Sequence, residues 1–241
     1  MSKNILGHIK NCKQTGRKLL AILLDPDKLT VQNLPLIIEK INSNTVDFIF
    51  VGGSNVDNGK TDTIVKGINK LTTIPIILFP GDFSQISNTA DALLFLSLIS
   101  GRNPEYLIGQ QVKSVNKLKE TSLEIIPTGY ILIDGGVKTS VQKVSNTTPI
   151  SQSNMEDITM TAMAGELMGK QLIYLEAGSG ATKAVSQEII KKVSENISIP
   201  LIVGGGIRSK KQLENAYQNG ADMIVIGTAF EKNNNILTSI L

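Results

Sequence analysis

The segment QLIYLEAGSGA, residues 171–181, combines one carboxylate with a run of small residues. Leu172 to Leu175 are apolar or aromatic, Glu176 follows, and residues 177–181 are only Ala, Gly or Ser. Glycine lets a backbone approach an anion closely, and successive N–H groups can form an anion-binding nest. The pattern is typical of a strand that ends with a carboxylate beside a phosphate site, although a tight turn with a solvated glutamate would look the same.

Two more glycine-rich segments follow apolar runs later in the chain. They are GGGIRS at 204–209 and GTAF at 227–230. In phosphate-binding barrels the loops after strands seven and eight hold the phosphate, and glycine N–H groups can do so without a side-chain cation. We therefore predict a phosphate site here, the alternative being glycines that serve packing and tight turns.

Acidic residues end several of the other apolar runs. Asp25 lies in LLDPDK, Asp82 and Asp134 end two further runs, and Ser54 ends the run next to that of Asp25. A carboxylate among phosphate-binding loops commonly holds Mg²⁺, which prefers oxygen ligands. Asp25 could instead cap a helix that begins at Pro26.

The elements that must position these residues are eight short apolar runs, rich in Ile, Val, Leu and Phe and without strict alternation. This composition is typical of strands buried on both faces. Helix-like segments separate most of them, among them 104–120, 154–169, 182–197 and 209–220, so we predict parallel strands with helical crossovers. The predicted fold is an α/β (β/α)₈ TIM barrel in a single domain over residues 1–241, with an open doubly wound sheet as the alternative. The apolar runs span residues 19–25, 46–54, 74–82, 90–100, 124–136, 171–180, 199–209 and 221–230.

Two connections depart from a regular barrel. Residues 83–89 are too few for a crossover helix, so the third outer helix is predicted to be missing and the wall to have a gap there. Residues 137–153 are rich in Ser and Thr, which favours a mobile active-site loop.

Composition limits the function classes further. Of 241 residues, 41% are hydrophobic and 19% charged, and the net charge of +3 is too small to indicate a nucleic-acid partner. Cys12 is the only cysteine and His8 the only histidine, so a disulfide within the chain and a zinc site are excluded. The longest apolar stretch is too short for a membrane span. We expect a soluble, cytoplasmic protein.

The motifs LLDPDK, FVGGS, TGYILIDGG, YLEAGSGA, IVGGGIRS and ADMIVIGTAFE, in this order, resemble the geranylgeranylglyceryl phosphate synthase family and its bacterial relatives. The resemblance covers nearly the whole chain, and YLEAGSGA is its most specific part. It implies the family's modified barrel and a prenyltransferase of ether-lipid synthesis. Such an enzyme joins a prenyl chain from a prenyl diphosphate to the 3-hydroxyl of sn-glycerol 1-phosphate and releases diphosphate.

The resemblance also implies roles for residues. Asp25 and Ser54 would contact Mg²⁺, and Glu176, with Tyr174 beside it, would orient the attacking hydroxyl and could deprotonate it. Leu23 stands where part of the family has a lysine, so a phosphate contact made by that lysine must come from elsewhere. The residues implied to hold glycerol 1-phosphate are Tyr174, Leu175, Glu176, Ala177, Gly178, Ser179, Gly180, Gly205, Gly206, Gly227 and Thr228.

The gap left by the third helix offers a groove for the prenyl tail. Tyr106, a bulky residue after strand four, could close that groove and favour a C20 chain, so geranylgeranyl diphosphate is the expected second substrate. Tyr106 could equally be a core or interface aromatic. We also expect a homo-oligomer that touches a membrane surface transiently when it releases its product.

Two other functions compete with the transferase. A metal-independent sugar-phosphate isomerase could use Asp25 and Asp134 as an acid–base pair across the barrel mouth, but it would leave Glu176 and Ser54 without roles. A non-catalytic protein that binds a phosphate ligand is the second competitor, and turnover of any allylic diphosphate would exclude it.

Overall fold

The computed structural model describes residues 4–240, in which eight parallel strands form a closed barrel. Each strand pairs with the next along the chain, and β8 pairs with β1. This confirms the predicted fold class. The strands are β1 Leu19–Leu24, β2 Phe48–Val51, β3 Ile76–Leu78, β4 Ala92–Leu98, β5 Glu124–Leu132, β6 Leu172–Glu176, β7 Leu201–Gly204 and β8 Met223–Ile226.

Helices cover the outside of the barrel and its amino end. None of those within residues 4–240 combines the length and apolar character that a bilayer crossing demands. Short 3-10 turns occupy Pro26–Lys28 and Phe83–Gln85, and a π-helical turn at Glu105–Gly109 leads into α4. The α-helices are α1 Ile5–Thr15, α2 Leu34–Asn42, α3 Lys60–Asn69, α4 Gln110–Lys119, α5 Ser140–Ser145, α6 Met155–Leu167, α7 Gln187–Asn196, α8 Lys210–Gln218, α9 Thr228–Lys232 and α10 Ile236–Ile240.

Alternate residues of each strand serve two separate cores. In β6, Leu172 and Tyr174 pack inside the barrel, whereas Ile173 and Leu175 pack in the layer between strands and helices. Side chains of a strand point to opposite faces with a period of two. Glu176, two residues after Tyr174, therefore shares the inner face and lies at the carboxyl end of the strand.

The third outer helix is missing, as predicted. Between β3 and β4 the chain makes only the 3-10 turn Phe83–Gln85, which Asp82 caps by accepting the Ser84 N–H at 2.7 Å. Gln85 is buried, and its amide bonds both backbone groups of Gly53, accepting the N–H at 3.2 Å and donating to the carbonyl at 2.8 Å. The turn thus replaces a helix and also fixes the loop after β2.

Two predicted boundaries differ from the structure. The segment 137–153 contains α5, which Thr139 caps by accepting the Gln142 N–H at 3.2 Å. Hydroxyl side chains can cap a helix as well as favour a loop, so composition alone did not separate the two. The helix predicted over 182–197 begins only at Gln187, because Ser186 is its N-cap.

Candidate active site

A polar cleft opens at the carboxyl ends of the strands and gathers most of the predicted site residues. They come from strand β6 and from the segments that follow β1, β2, β6, β7 and β8, as a parallel barrel requires. The predicted residues that line this cleft are Asp25, Ser54, Tyr174, Glu176, Gly178, Ser179, Gly180, Gly205, Gly206, Gly227 and Thr228.

Glu176 is a buried carboxylate at the base of the cleft. It is 7% exposed, and its Oε1 accepts the backbone N–H of Gly178 at 2.6 Å. Burial raises the pKa of Glu176 to about 7, and the Gly178 N–H and the nearby Tyr174 hydroxyl offset part of that rise. A carboxylate with this pKa can exchange a proton near neutral pH, as a general base must.

Glycines of β7 and its loop make room for this carboxylate. A Cβ at Gly205, where φ is +80°, would lie 2.5 Å from Glu176 Oε1. A Cβ at Gly204 would lie 2.7 Å from Oε2 and 2.4 Å from the Tyr174 hydroxyl. The carboxylate and the phenol therefore face the same stretch of side-chain-free backbone.

The Tyr174 hydroxyl is a buried donor without a hydrogen-bond partner within residues 4–240. It is near enough to Glu176 to lower the pKa of that carboxyl, yet it satisfies no hydrogen-bond geometry with it. Burial, followed by the charge of Glu176, raises the pKa of Tyr174 well above its ordinary value, so the phenol stays protonated. Its ring packs against Phe79 and Tyr130, with centroids 5.3 and 5.4 Å away.

The loops after β6 and β8 meet across the cleft. Ser179 Oγ and Thr228 Oγ1 are 2.8 Å apart. Within the described chain the backbone N–H groups of Ser179, Gly180 and Gly206 donate to no protein atom. A concave wall with unpaired N–H groups is the arrangement that binds a phosphate.

Two cations line the cleft that we did not assign from the sequence. Arg208 Nη2 donates to the Ala181 carbonyl at 2.6 Å and reaches the Gly180 carbonyl at 3.4 Å, so it joins the loops after β6 and β7. Lys28 is the second of these cations and lies in the turn after β1. Arg208 lies just beyond the glycines of GGGIRS, separated from them only by Ile207, a position that could have indicated it.

Asp25 is both a cap and a lining residue of the cleft. Its Oδ1 accepts the Asp27 N–H at 3.1 Å at the start of the 3-10 turn, and its Oδ2 is 3.3 Å from Lys28 Nζ. Ser54 lines the cleft on the neighbouring loop, and a Cβ at Gly53 would lie 3.0 Å from Asp25 Oδ1. Among residues 4–240 no three His, Cys, Asp or Glu side chains are grouped to hold a metal ion.

An apolar groove runs along the gap left by the third helix. The turn after β3, strand β4 and the π-turn with α4 form its walls, and Tyr106, Gln110 and Gln111 lie along one of them. The groove adjoins the polar cleft, and five residues line both cavities. These shared residues are Gly53, Ser54, Phe79, Tyr130 and Val141.

Three residues named from the sequence line neither the cleft nor the groove. Leu175 and Ala177 are fully buried in the outer core, behind the lining residues, and the Ala177 N–H is bonded to the Gly204 carbonyl at 3.1 Å. Their role as substrate contacts stays a prediction. Asp134 is exposed and accepts the Gly136 N–H at 2.8 Å in a turn, so the acid–base pair proposed for an isomerase is not formed.

Known proteins match this chain over most of its length. The model of the PcrB family matches residues 13–241. Geranylgeranylglyceryl phosphate synthase of Zunongwangia profunda is 53% identical over 94% of this chain and 97% of its own length, and that of Thermococcus gammatolerans is 41% identical over 91% and 87%.

A solved structure is also similar over nearly the full length. The (S)-3-O-geranylgeranylglyceryl phosphate synthase of Thermoplasma acidophilum, in complex with its substrate sn-glycerol-1-phosphate, superposes with a TM-score of 0.92 at 34% identity. The match covers 99% of this chain and 96% of the other. A tryptophan synthase α-subunit from Pyrococcus furiosus, at 12% identity and a TM-score of 0.60, shares the fold alone.

Proposed function

The chain belongs to the PcrB family, and from that premise we propose that it joins a geranylgeranyl chain to the 3-hydroxyl of sn-glycerol 1-phosphate. Geranylgeranyl diphosphate would be the donor, and the product would be an ether phospholipid precursor. The names of the relatives and the substrate in the Thermoplasma complex support this assignment.

The observation that carries the proposal is the junction of a polar cleft with an apolar groove. A glycerol phosphate and a prenyl chain differ sharply in polarity, and the two cavities meet at Gly53, Ser54, Phe79, Tyr130 and Val141. The reacting carbon lies at the boundary between the polar and apolar parts of a prenyl diphosphate. The junction is therefore the place where both substrates can meet.

The phosphate of sn-glycerol 1-phosphate is assigned to the wall built by the loops after β6, β7 and β8. The unpaired N–H groups of Ser179, Gly180 and Gly206 and the hydroxyl of Thr228 supply donors. Arg208, at the rim of the same wall, adds a positive charge. With the phosphate held there, the glycerol chain can extend toward Glu176 at the base of the cleft.

Glu176 would orient the attacking hydroxyl and remove its proton. The hydroxyl oxygen forms a bond to C1 of the prenyl chain, the bond between C1 and the diphosphate oxygen breaks, and diphosphate leaves with the electron pair. The proton passes to Glu176, whose pKa of about 7 suits that transfer. The Tyr174 hydroxyl remains free to donate a hydrogen bond beside it.

Asp25 and Ser54 would hold Mg²⁺ at the diphosphate end of the junction. Their carboxylate and hydroxyl oxygens are ligands of the type that this ion accepts, and it needs few protein groups when a diphosphate supplies further oxygens. When bound, Mg²⁺ stabilises the negative charge that develops on the leaving diphosphate.

We further propose that the protein acts in the cytoplasm as a homo-oligomer and touches a membrane surface briefly as product leaves. Ile108, Val112 and Val115 form an exposed apolar stripe on and just before α4, which supports a surface contact of this kind. Light scattering of the purified protein tests the oligomer, and co-sedimentation with phospholipid vesicles tests the membrane contact.

Mass spectrometry of the products tests the function directly. The protein is incubated with C15, C20 and C35 prenyl diphosphates and with each enantiomer of glycerol phosphate. We expect the C20 ether of sn-glycerol 1-phosphate as the main product. Turnover without incorporation of glycerol phosphate, or no turnover of any prenyl diphosphate, would contradict the proposal.

A further inference from the structure

A lysine lies between two carboxylates at the edge of the cleft where β1 and β8 close the barrel. Lys28 Nζ is 2.8 Å from Glu231 Oε2 and 3.3 Å from Asp25 Oδ2. The lysine side chain is half-exposed, whereas those of Asp25 and Glu231 are only 24% and 17% exposed. All three residues line the cleft.

Both oxygens of Asp25 are already engaged. Oδ1 accepts the Asp27 N–H at 3.1 Å, and the backbone at Gly53 packs against it. Oδ2 faces the Lys28 ammonium. A cation that reaches Asp25 from the cleft must therefore share Oδ2 with this ammonium or displace it.

Glu231 is a second partner of the Lys28 ammonium, and this contact can persist when the contact with Asp25 is broken. The Lys28–Glu231 contact is the shorter of the two, and it joins the first strand's loop to α9. A modest movement of the flexible lysine side chain can break the contact with Asp25 and keep the one with Glu231.

We propose that the Lys28 ammonium is a counter-ion for Asp25 that takes the place beside Oδ2 where a metal ion would bind. When a metal ion binds Asp25, the ammonium leaves Oδ2 and keeps only its contact with Glu231. Lys28 is then a positioning residue, which acts through Asp25. The inference rests on the proposed role of Asp25 in holding Mg²⁺.

The charges of these three residues indicate how Lys28 would affect the affinity of the site for a divalent ion. Lys28, Asp25 and Glu231 together carry one net negative charge, so a bare divalent ion would leave the cluster with one net positive charge. A bound diphosphate removes that excess. The metal is therefore bound weakly alone and well together with the prenyl diphosphate, and Lys28 sets the difference.

Binding of Mn²⁺ alone to the full chain, followed by water proton relaxation, tests the inference without reference to activity. Lys28→Met should tighten Mn²⁺ binding on the order of tenfold, since it removes a cation that competes at contact distance. The matched control is Lys60→Met, which makes the same change in net charge. Lys60 pairs with Asp27 instead, at 3.3 Å, so this variant should change Mn²⁺ affinity by less than about twofold.

A double-mutant cycle identifies the part played by Glu231. Glu231→Gln should weaken Mn²⁺ binding more in the wild-type background than in the Lys28→Met background, because only the former still holds the ammonium that Glu231 draws away. Equal effects in both backgrounds would overturn the transfer of Lys28 to Glu231.

Asp25→Asn separates failure of the inference from failure of the metal assignment. If Asp25→Asn abolishes Mn²⁺ binding but Lys28→Met fails to tighten it, Lys28 is no counter-ion and the metal assignment stands. If Asp25→Asn leaves Mn²⁺ binding unchanged, both the metal assignment of Asp25 and the counter-ion role of Lys28 are refuted. Loss of folding cannot imitate the expected result, because a damaged site does not bind its ion more tightly.

Discussion

The carboxylate of Glu176 lies against the backbone of Gly205, so close that a Cβ at that glycine would be 2.5 Å from Oε1. The carboxylate that we propose as the general base thus packs against a residue that has no side chain. Replacing either one should affect both folding and turnover, and the two effects can be measured separately.

Glu176→Gln keeps the shape of the side chain and removes its charge. We expect kcat to fall roughly 10²- to 10⁴-fold, the range typical of a lost general base, with a small change in KM for glycerol phosphate. In the parent protein kcat/KM should rise with pH through about 7, since only ionised Glu176 can accept the proton. The control Glu195→Gln, on an exposed face of α7, should retain parent activity, and near-parent turnover by Glu176→Gln would remove Glu176 from the mechanism.

The same substitution should stabilise the substrate-free protein in alkaline solution. The folded pKa of Glu176, about 7, is above its ordinary value of 4.5, so this residue costs no stability below pH 4.5 and progressively more as pH rises through 7. The cost approaches about 3 kcal/mol above that range. Thermal or urea unfolding should show the variant gaining much more stability over the parent at pH 8 than at pH 5, and a stability difference that does not change with pH would contradict the raised pKa of Glu176.

Gly205→Ala should destabilise the fold and weaken activity. The residue adopts φ +80°, which costs an L-residue about 1–3 kcal/mol, and the new methyl group would meet Glu176 as well. Gly16→Ala is the matched control, because Gly16 has φ +74° and open space around its Cβ position. We expect both variants to melt earlier, Gly205→Ala by the larger margin, and only Gly205→Ala to lose turnover.

Tyr106→Ala should admit prenyl chains longer than C20. Each buried CH₂ contributes about 0.8 kcal/mol, so length is selected only where a wall stops further burial. Competition between C20 and C35 diphosphates, followed by product mass, should show the C35 share rising in Tyr106→Ala and staying at the parent value in Tyr106→Phe. An unchanged preference in the alanine variant would place the limit elsewhere in the groove.

Gln85→Leu should impair the prenyl side of the junction. It leaves the backbone N–H and carbonyl of Gly53 without their partners, at a cost of about 1–3 kcal/mol, and frees the loop that carries Ser54. KM for prenyl diphosphate should rise while KM for glycerol phosphate changes little. Equal changes in both constants would indicate general loss of structure.

Local sequence predicted the barrel because most strands are short apolar runs that end in glycine, serine or acidic residues. The same runs placed Glu176, Ser179 and Thr228 at strand ends, and a closed parallel barrel brings such ends together. The missing helix followed from the length of residues 83–89 alone. The strands, the residues at their ends and the missing third helix could be predicted because each depends only on residue types and lengths within one short segment.

Contacts between distant segments were not predictable in this way. Lys28 and Glu231 are separated by 203 positions and meet only because β8 closes onto β1. Gln85 reaches Gly53 across 32 positions, a partner that no local pattern indicates. Asp134 shows the opposite error, since its position at a strand end suggested chemistry and its side chain serves a turn.

The pairing of β8 with β1 also has a consequence for synthesis of the chain. Glu231, Thr228 and Gly227 follow β8, whereas Asp25 and Lys28 follow β1, and Lys28 and Glu231 are 203 positions apart. A nascent chain can form most strand pairs in order, yet the proposed phosphate wall and the contact of Lys28 with Glu231 stay incomplete until β8 and α9 have left the ribosome. The step that closes the barrel is therefore also the step that completes the proposed site.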